Sequence, residues 1–310
     1  MAGGLEAELL ELLRAGPADP AARGFADDAA VLAWPLGLDL VATHDMMAEE
    51  VHFTPACPPA SIGWKLTAAN LSDLAAMGAR PVAMLLGAGI APDRDPAWAG
   101  AILAGVRQAV LRFGGALVGG DTIRAGPRTV VGMTALGSVP PGAALGRAGA
   151  RPGDDLWVSG TIGDAGLGLE VALGRRAPDP FLLKRYRRPV PRVALGEALR
   201  GLAHAAIDVS DGLLRDAARL AAASGVGVEI DSVRVPRSEG AAASGVPVAR
   251  LAAMGDDYEL LFAAPAAARA AVEAAGRAAR TPVARVGRVV AGNGVQLDGE
   301  APAELGHIHV

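Results

Sequence analysis

Residues 42–53 read ATHDMMAEEVHF, which places Thr43, His44, Asp45, Glu49, Glu50 and His52 in one short stretch after the strand-like run LDLVAT. Hydroxyl, carboxylate and imidazole groups at this spacing suit metal ligation, a catalytic pair or a polar loop. The rest of the chain bears on the choice. Aspartates recur where a strand or helix meets a glycine-rich turn: Asp27 and Asp28 in ADD, Asp45 in THD, Asp73 in LSD, Asp121 in GGD, and Asp208 and Asp211 in DVSD. Most have no Lys or Arg beside them in the sequence. Carboxylates that converge cannot all stay charged without cations. Magnesium prefers oxygen ligands and commonly takes one or two carboxylates while substrate phosphates complete its shell. The chemistry this pattern suits is a nucleotide bound through several magnesium ions.

Each signal also has a plainer reading. An Asp after a strand is more often a helix cap or turn former than a ligand, and Asp73 and Asp211 can each cap a helix. His52 reads more readily as a hydrogen-bonded, partly buried side chain than as a site residue. Glu49 and Glu50 read as solvated charges. GTIGDAGLG, residues 160–168, can cradle a phosphate on backbone N–H groups, but a simple strand-to-helix turn is preferred. The chain holds no GxxxxGK[ST], no GxGxxG and no GxSxG, which excludes a P-loop, a dinucleotide fingerprint and a serine elbow. Cys57, the one cysteine, lies between prolines rather than beside a histidine motif. No Cys/His spacing suggests zinc.

Alternating elements must position these residues. Leu5, Leu9, Leu12 and Leu13 predict a helix over 5–14. A short strand is expected in DDAAVL and a second in LDLVAT. Residues 58–81 read as a long helix closed by Gly78 and Pro81, followed by a buried strand over 82–90 and a helix over 96–115. ALVGGDTIR and RTVVGMTALGSV are strands. PPGAALGRAGARPGDD, residues 140–155, is rich in Gly and Pro and marks a domain boundary, giving domains 1–140 and 141–310. Beyond it come the strand LWVSG, the glycine-rich turn and a helix, then a strand, turn and helix in AAIDVSDGLLRDAARLAAASG. VGVEIDSV and DYELLFAAP read as strands, residues 266–279 as a helix, and PVARVGRVVAG and GVQLDGE as closing strands.

At 310 residues the chain is long enough for two cores without disulfides. Apolar residues make up 51% and aromatics only 4%, so Ala, Val, Leu and Ile must build those cores. A net charge of −4 with no long basic run gives no nucleic-acid footprint. The apolar run PVAMLLGAGIAP is too short to span a bilayer. The start of the chain lacks the pattern of a signal peptide. A cytoplasmic protein is expected, with no nucleic-acid or membrane partner.

In order, the motifs DDAAVL, ATHDMMAEEVHF, IGWKLTAANLSDLAAMGARP, LVGGDTIR, LGRAGARPGDDLWVSGTIGDAGLGL, RPVPRVALG, AIDVSDGLLRDAARLAAASGVGVEID and GDDYELLF resemble the thiamine-monophosphate kinase family. The resemblance runs from about residue 24 to 265, and NLSDLAAMGA and IDVSDGLLRD are its most specific parts. It implies a two-domain α/β fold of the aminoimidazole ribonucleotide synthetase type. The N-terminal sheet would pair into a dimeric barrel, beside a C-terminal α/β domain. It implies ATP-dependent conversion of thiamine monophosphate to thiamine diphosphate, with several Mg2+ ions and no general base. By motif position, Asp28, Thr43, His44, Asp45, Asp73, Asp121, Asp208 and Asp211 match metal-binding residues. Gly120, Asp121, Arg147 and Ser210 match ATP contacts, and His52, Asp256 and His307 match substrate contacts.

The chain departs from the family at several of these positions. His44 stands where Thr is usual, Asp256 where Glu is usual, and His307 where an aromatic residue is usual. Ala26 and Glu50 replace glycines. Another ATP-using member of the superfamily, or a nucleotide-binding homologue without activity, is the alternative.

Overall fold

The computed structural model describes residues 5–16, 19–25 and 29–307. The chain divides into two compact units, Met1–Leu74 with Arg80–Pro141, and Ala75–Ala79 with Gly142–Val310.

In the first unit α1 (Leu5–Ala15) is followed by β1 (Asp39–Ala48), α2 (Pro59–Ala76), β2 (Arg80–Ile90), α3 (Pro96–Phe113), β3 (Ala116–Arg124) and β4 (Val130–Val139). The strands form one sheet in the order β1-β4-β2-β3. β4 is antiparallel to β1 and β2, and β2 is parallel to β3. α3 starts and stops where the sequence says it should. Asp95 accepts the Trp98 N–H at 2.7 Å, Pro96 opens the first turn and Gly114 follows the last. α2 and α3 cross at two glycines. A Cβ on Gly63 would stand 2.0 Å from the Ile102 carbonyl oxygen, and one on Gly105 1.9 Å from that of Ala60.

One face of this sheet is buried, through Met84, Ile90, Val131, Met133 and Ala135. Among the described residues the other is covered at one end, where Ala22, Phe25, Ala30 and Leu32 pack on Ala83, Val118 and Leu136. Its remainder shows Leu40, Met46, Leu85 and Ile123 at 55%, 57%, 39% and 59% exposure. The strand expected in DDAAVL does not form over its described residues, 29–32. Ala30 and Leu32 pack inward while Val31 points out, which mimics a strand's alternation. The Val31 N–H is spent on the Ala21 carbonyl instead of a strand partner.

The second unit contains β5 (Asp154–Ser159), α4 (Asp164–Ala172), α5 (Pro180–Arg187), α6 (Val193–Leu199), β6 (Ala205–Val209), α7 (Leu213–Ser224), β7 (Gly227–Ile230), α8 (Glu239–Ala243), α9 (Val248–Ala252), β8 (Glu259–Pro265), α10 (Arg269–Ala278), β9 (Val283–Val290) and β10 (Gly294–Leu297). Its sheet runs β10-β7-β9-β5-β8-β6 and is antiparallel except for the β10–β7 pair. Leu213, Leu214, Ala217, Leu220 and Ala221 of α7 recur at helical spacing and pack with Leu156, Val158, Ile207 and Leu261 of the sheet. The short helices α5, α6, α8 and α9 went unread in the sequence. α5 is set by its start rather than by periodicity: Asp179 accepts the N–H groups of Phe181 and Leu182, and Pro180 opens the turn.

Candidate functional site

In the first unit the candidate residues meet between β1 and α2. Alternation along β1 sends Thr43 and Asp45 to one face. Thr43 Oγ1 donates to Asp73 Oδ2 at 2.5 Å, and the Asp45 N–H donates to Asn70 Oδ1 at 3.0 Å. Asn70 and Asp73 lie one turn apart on α2, so a single helix face serves both bonds. Asp73 is therefore inside a helix rather than capping one. Asn70, fully buried and also bonded to the Leu66 carbonyl, was not singled out from the sequence. Its signal was the N-x-x-D spacing in NLSD.

His44 is not brought to this group. Its Nδ1 is 2.9 Å from Thr134 Oγ1 of β4, and its ring lies over Gly132 on the opposite face. The His44 carbonyl is trans to the Asp45 N–H across the peptide and so points toward β4. Asp121 belongs to His44's face, since register links Met46, Gly132, Gly87 and Asp121 in one row across the sheet. Asp121 is exposed, and its Oδ1 accepts the N–H of Thr122 at 2.8 Å. Gly120 has a packing reason of its own: a Cβ there would stand 2.0 Å from the Leu86 carbonyl oxygen. His52 Nδ1 accepts the Ala48 N–H at 3.1 Å, and its carbonyl accepts from Lys65 Nζ at 3.2 Å. This fixes the proton of the neutral ring on Nε2. Asp28 lies outside the described residues.

Glu49 is not the solvated charge the sequence suggested. It is 5% exposed, paired with Arg94 at 2.6 Å, and accepts the Thr129 N–H at 3.0 Å. Glu50 is exposed and ion-paired with Arg128, on a backbone with φ of 68°. That left-handed conformation suits the glycine it replaces.

In the second unit the candidates gather around the turn after β6. The Ser210 and Asp211 N–H groups both donate to Asp216 Oδ2, at 3.1 and 3.0 Å. On the other side their carbonyls accept N–H groups from Asp256 at 2.7 Å and His307 at 3.0 Å. Glycines permit the approach: a Cβ on Gly255 would lie 2.5 Å from the Ser210 oxygen, and one on Gly306 2.3 Å from that of Asp211. The turn thus brings Ser210, Asp211, Asp256 and His307 together. Asp208 is buried on β6. Arg147 is exposed, one residue after Gly146, whose carbonyl accepts the Ala206 N–H of the same strand. Asp211 does not cap α7, whose N-terminal cap is Gly212. Its Oδ2 pairs with Arg219 Nη1 at 2.5 Å, and the same nitrogen is 2.7 Å from Asp216 Oδ1. Burial pushes the Asp216 carboxyl up to about 6, against the opposing pull of the Asp211 N–H and Arg219. Asp216 and Arg219 were not singled out in the sequence.

The glycine-rich turn does not hold its N–H groups open. Gly163 and Ala165 donate to the two oxygens of Asp257, at 2.6 and 3.1 Å. Asp257 is fully buried between Asp256 and Tyr258, both left-handed at φ of 71° and 51°. Burial raises its carboxyl to about 7, although Arg185 and the two N–H bonds pull the other way. Glu259 is also fully buried, and accepts from Ser159, Arg185 and, through both oxygens, Arg192. Burial alone would raise Glu259, but the two guanidiniums hold it below the usual range. Asp164 accepts the hydroxyls of Thr161 and Ser238, each at 2.5 Å.

The donor chemistry of the group between β1 and α2 fits magnesium. Thr43, Asp45 and Asp73 offer hydroxyl and carboxylate oxygens on one side of β1, with neither sulfur nor imidazole among them. Among the described residues no three His, Cys, Asp or Glu side chains form a ready-made cage. Among them, too, no helix is long and apolar enough to cross a membrane.

Residues 26–139 match the N-terminal domain of AIR synthase related protein, and residues 151–300 match its C-terminal domain. Fold and paired domains together define a two-domain protein of the AIR synthase related class. Within that class the chain is 41% identical to the curated thiamine-monophosphate kinase of Caulobacter vibrioides, over 98% of this chain and 89% of that one. The crystal structure of thiamine-monophosphate kinase from Stenotrophomonas maltophilia K279a matches with a TM-score of 0.86 at 39% identity, over 97% of this chain and 98% of that one. The structure of AaThiL complexed with AMPPCP and TMP matches with a TM-score of 0.80 at 31% identity, over 90% and 89% of the two chains. The chain belongs to the thiamine-monophosphate kinase family.

Proposed function

We propose that this protein transfers the γ-phosphoryl group of ATP to thiamine monophosphate, giving ADP and thiamine diphosphate by direct in-line displacement. The observation that carries this reading is the near full-length likeness to a structure complexed with AMPPCP and TMP. The acceptor is a phosphate monoester with a second pKa near 6, so at neutral pH it is mostly a dianion and already a nucleophile. No side chain has to remove a proton from it. The task left to the protein is to align two polyanions that repel each other.

In the first unit, Thr43, Asp45 and Asp73 are assigned to Mg2+, with Asp28 as a further ligand. His44 and Asp121, on the other face of the sheet, form a second assigned group, and Gly120 with Asp121 contacts ATP. The bond from Thr43 holds the rotamer of Asp73. In the second unit, Asp208 and Asp211 are assigned to Mg2+, and Arg147 and Ser210 to ATP. When bound, Mg2+ supplies neutralising charge on the phosphate oxygens. His52, Asp256 and His307 are assigned to the vitamin. The ring of His52 would hydrogen-bond to it, and the ring of His307 would stack on it. The protein is proposed to act in the cytoplasm, where ATP is supplied, as a homodimer. The uncovered apolar face of the first unit's sheet supports the dimer.

A coupled ADP-release assay, with and without thiamine monophosphate, tests the reading. ADP formation should depend on the vitamin and yield thiamine diphosphate. ADP formation indifferent to it would remove the proposal.

A further inference from the structure

Asp211 is assigned to a cation, yet its carboxylate already has a cationic partner. Arg219 Nη1 stands 2.5 Å from Asp211 Oδ2 and 2.7 Å from Asp216 Oδ1. The two anchors differ. The Asp216 side chain is fully buried and its other oxygen is held by two backbone N–H groups, so it is a fixed post. The Asp211 side chain is 11% exposed and that of Arg219 40%. The main chain at Ser210 and Asp211 is held on both sides, its carbonyls by the Asp256 and His307 N–H groups and its own N–H groups by Asp216. We propose that Arg219 is a positioning residue that competes with a divalent cation for the Asp211 carboxylate, releasing it while staying tied to Asp216.

The exchange has a physical logic. Asp208, Asp211 and Asp216 fall within nine positions, and without a cation their mutual repulsion would disfavour the folded turn. Arg219 supplies a resident positive charge. A divalent ion that takes Asp211 must displace that charge, so Arg219 lowers cation affinity at this position. Asp211 is thereby held in a defined rotamer until the ion arrives. The inference rests on the proposed role of Asp211 as a magnesium ligand.

The test is Mn2+ binding to the nucleotide-free, full-length protein at low ionic strength, followed by the free-ion electron paramagnetic resonance signal. Arg219→Gln should tighten binding about fivefold, the upper range for a partly exposed ion pair, and Asp211→Asn should weaken it. In the Asp211→Asn background, Arg219→Gln should have no further effect. That separates contact with Asp211 from a general loss of positive charge. Should the Gln variant fail to fold, Arg219→Lys keeps the charge and should still show a smaller tightening. Weaker binding in Asp211→Asn with none of the tightening in the Arg219 variants overturns the competition alone. The same holds if the Arg219→Gln gain survives in the double variant. Binding unaltered by Asp211→Asn overturns both the ligand role and the competition built on it.

Discussion

Asp257→Asn should make the protein more stable at alkaline pH and change it far less in acid. Two guanidiniums, Arg185 and Arg192, face three carboxyls, Asp164, Asp257 and Glu259, all closed off from water. One carboxyl is in excess, and Asp257 is the one whose affinity for a proton is raised, from an ordinary value of 3.8 to about 7. Between those two values the folded protein holds a proton that the unfolded chain has released. Stability therefore falls as pH rises through that window. At about 1.4 kcal/mol per pKa unit, the full loss is roughly 4 kcal/mol, with some 2–3 kcal/mol of it between pH 5 and pH 8.

Asparagine has nearly the same shape and cannot ionise, so it removes that slope. It offers one acceptor to two N–H groups, which lowers stability by a constant amount at every pH. Glu259, held below its usual range, contributes in the opposite sense. Its share is present above its unfolded pKa and lost as pH falls through the folded value, and it is common to both proteins. Urea unfolding of native and variant protein at pH 5, 6, 7 and 8, at one protein concentration, measures the difference. The variant should gain on the native protein by roughly 2–3 kcal/mol across that range. Parallel curves, or a gap that widens the other way, would show that Asp257 is ionised throughout and that the charge count is wrong.

Other expectations concern single contacts. Asp73→Asn should abolish turnover in the ADP-release assay with little change in melting temperature, and near-normal activity would end its assignment to the metal. Glu50→Gly removes a side chain from a left-handed backbone at φ of 68°. Relief of about 1–2 kcal/mol, less the flexibility glycine adds to the unfolded chain, should raise the melting temperature by a degree or two. Gly105→Ala would put a methyl 1.9 Å from the Ala60 carbonyl oxygen and force α2 and α3 apart. A loss of about 3 kcal/mol is expected in thermal unfolding, and an unchanged melting temperature would contradict the close crossing.

What could be read in the sequence were features whose cause is local. The limits of α3 follow from Asp95, Pro96 and Gly114, and the pairing of Asn70 with Asp73 on one helix face follows from their spacing. Alternation along the strand puts Thr43 and Asp45 on one face and His44 on the other, although all three were grouped as metal matches. The misreadings share a different origin. Glu49 looked solvated because Arg94 and Thr129, which bury and bind it, lie 45 and 80 residues away. The preference for a plain turn at Gly163 holds, but the carboxylate that fills it, Asp257, comes 94 residues later and was not legible. Asp211 read as able to cap a helix, and nothing in VSDGLLRDAAR says that Gly212 takes that place or that Arg219, two helical turns on, curls back to Asp211. Long-range partners decide whether a polar group is free, and one-dimensional spacing does not carry them.

The bare sheet face in the first unit has a consequence for every measurement of stability. Leu40, Met46, Leu85 and Ile123 stand in water in a single chain, and a second copy seated there would stabilise the folded form by mass action. Part of the folding free energy would then depend on how much protein is in the tube. Each tenfold dilution below saturation would remove up to about 1.4 kcal/mol per dimer. A melting temperature that climbs with concentration would report that association directly, and one recorded at a single dilution would describe the solution as much as the fold.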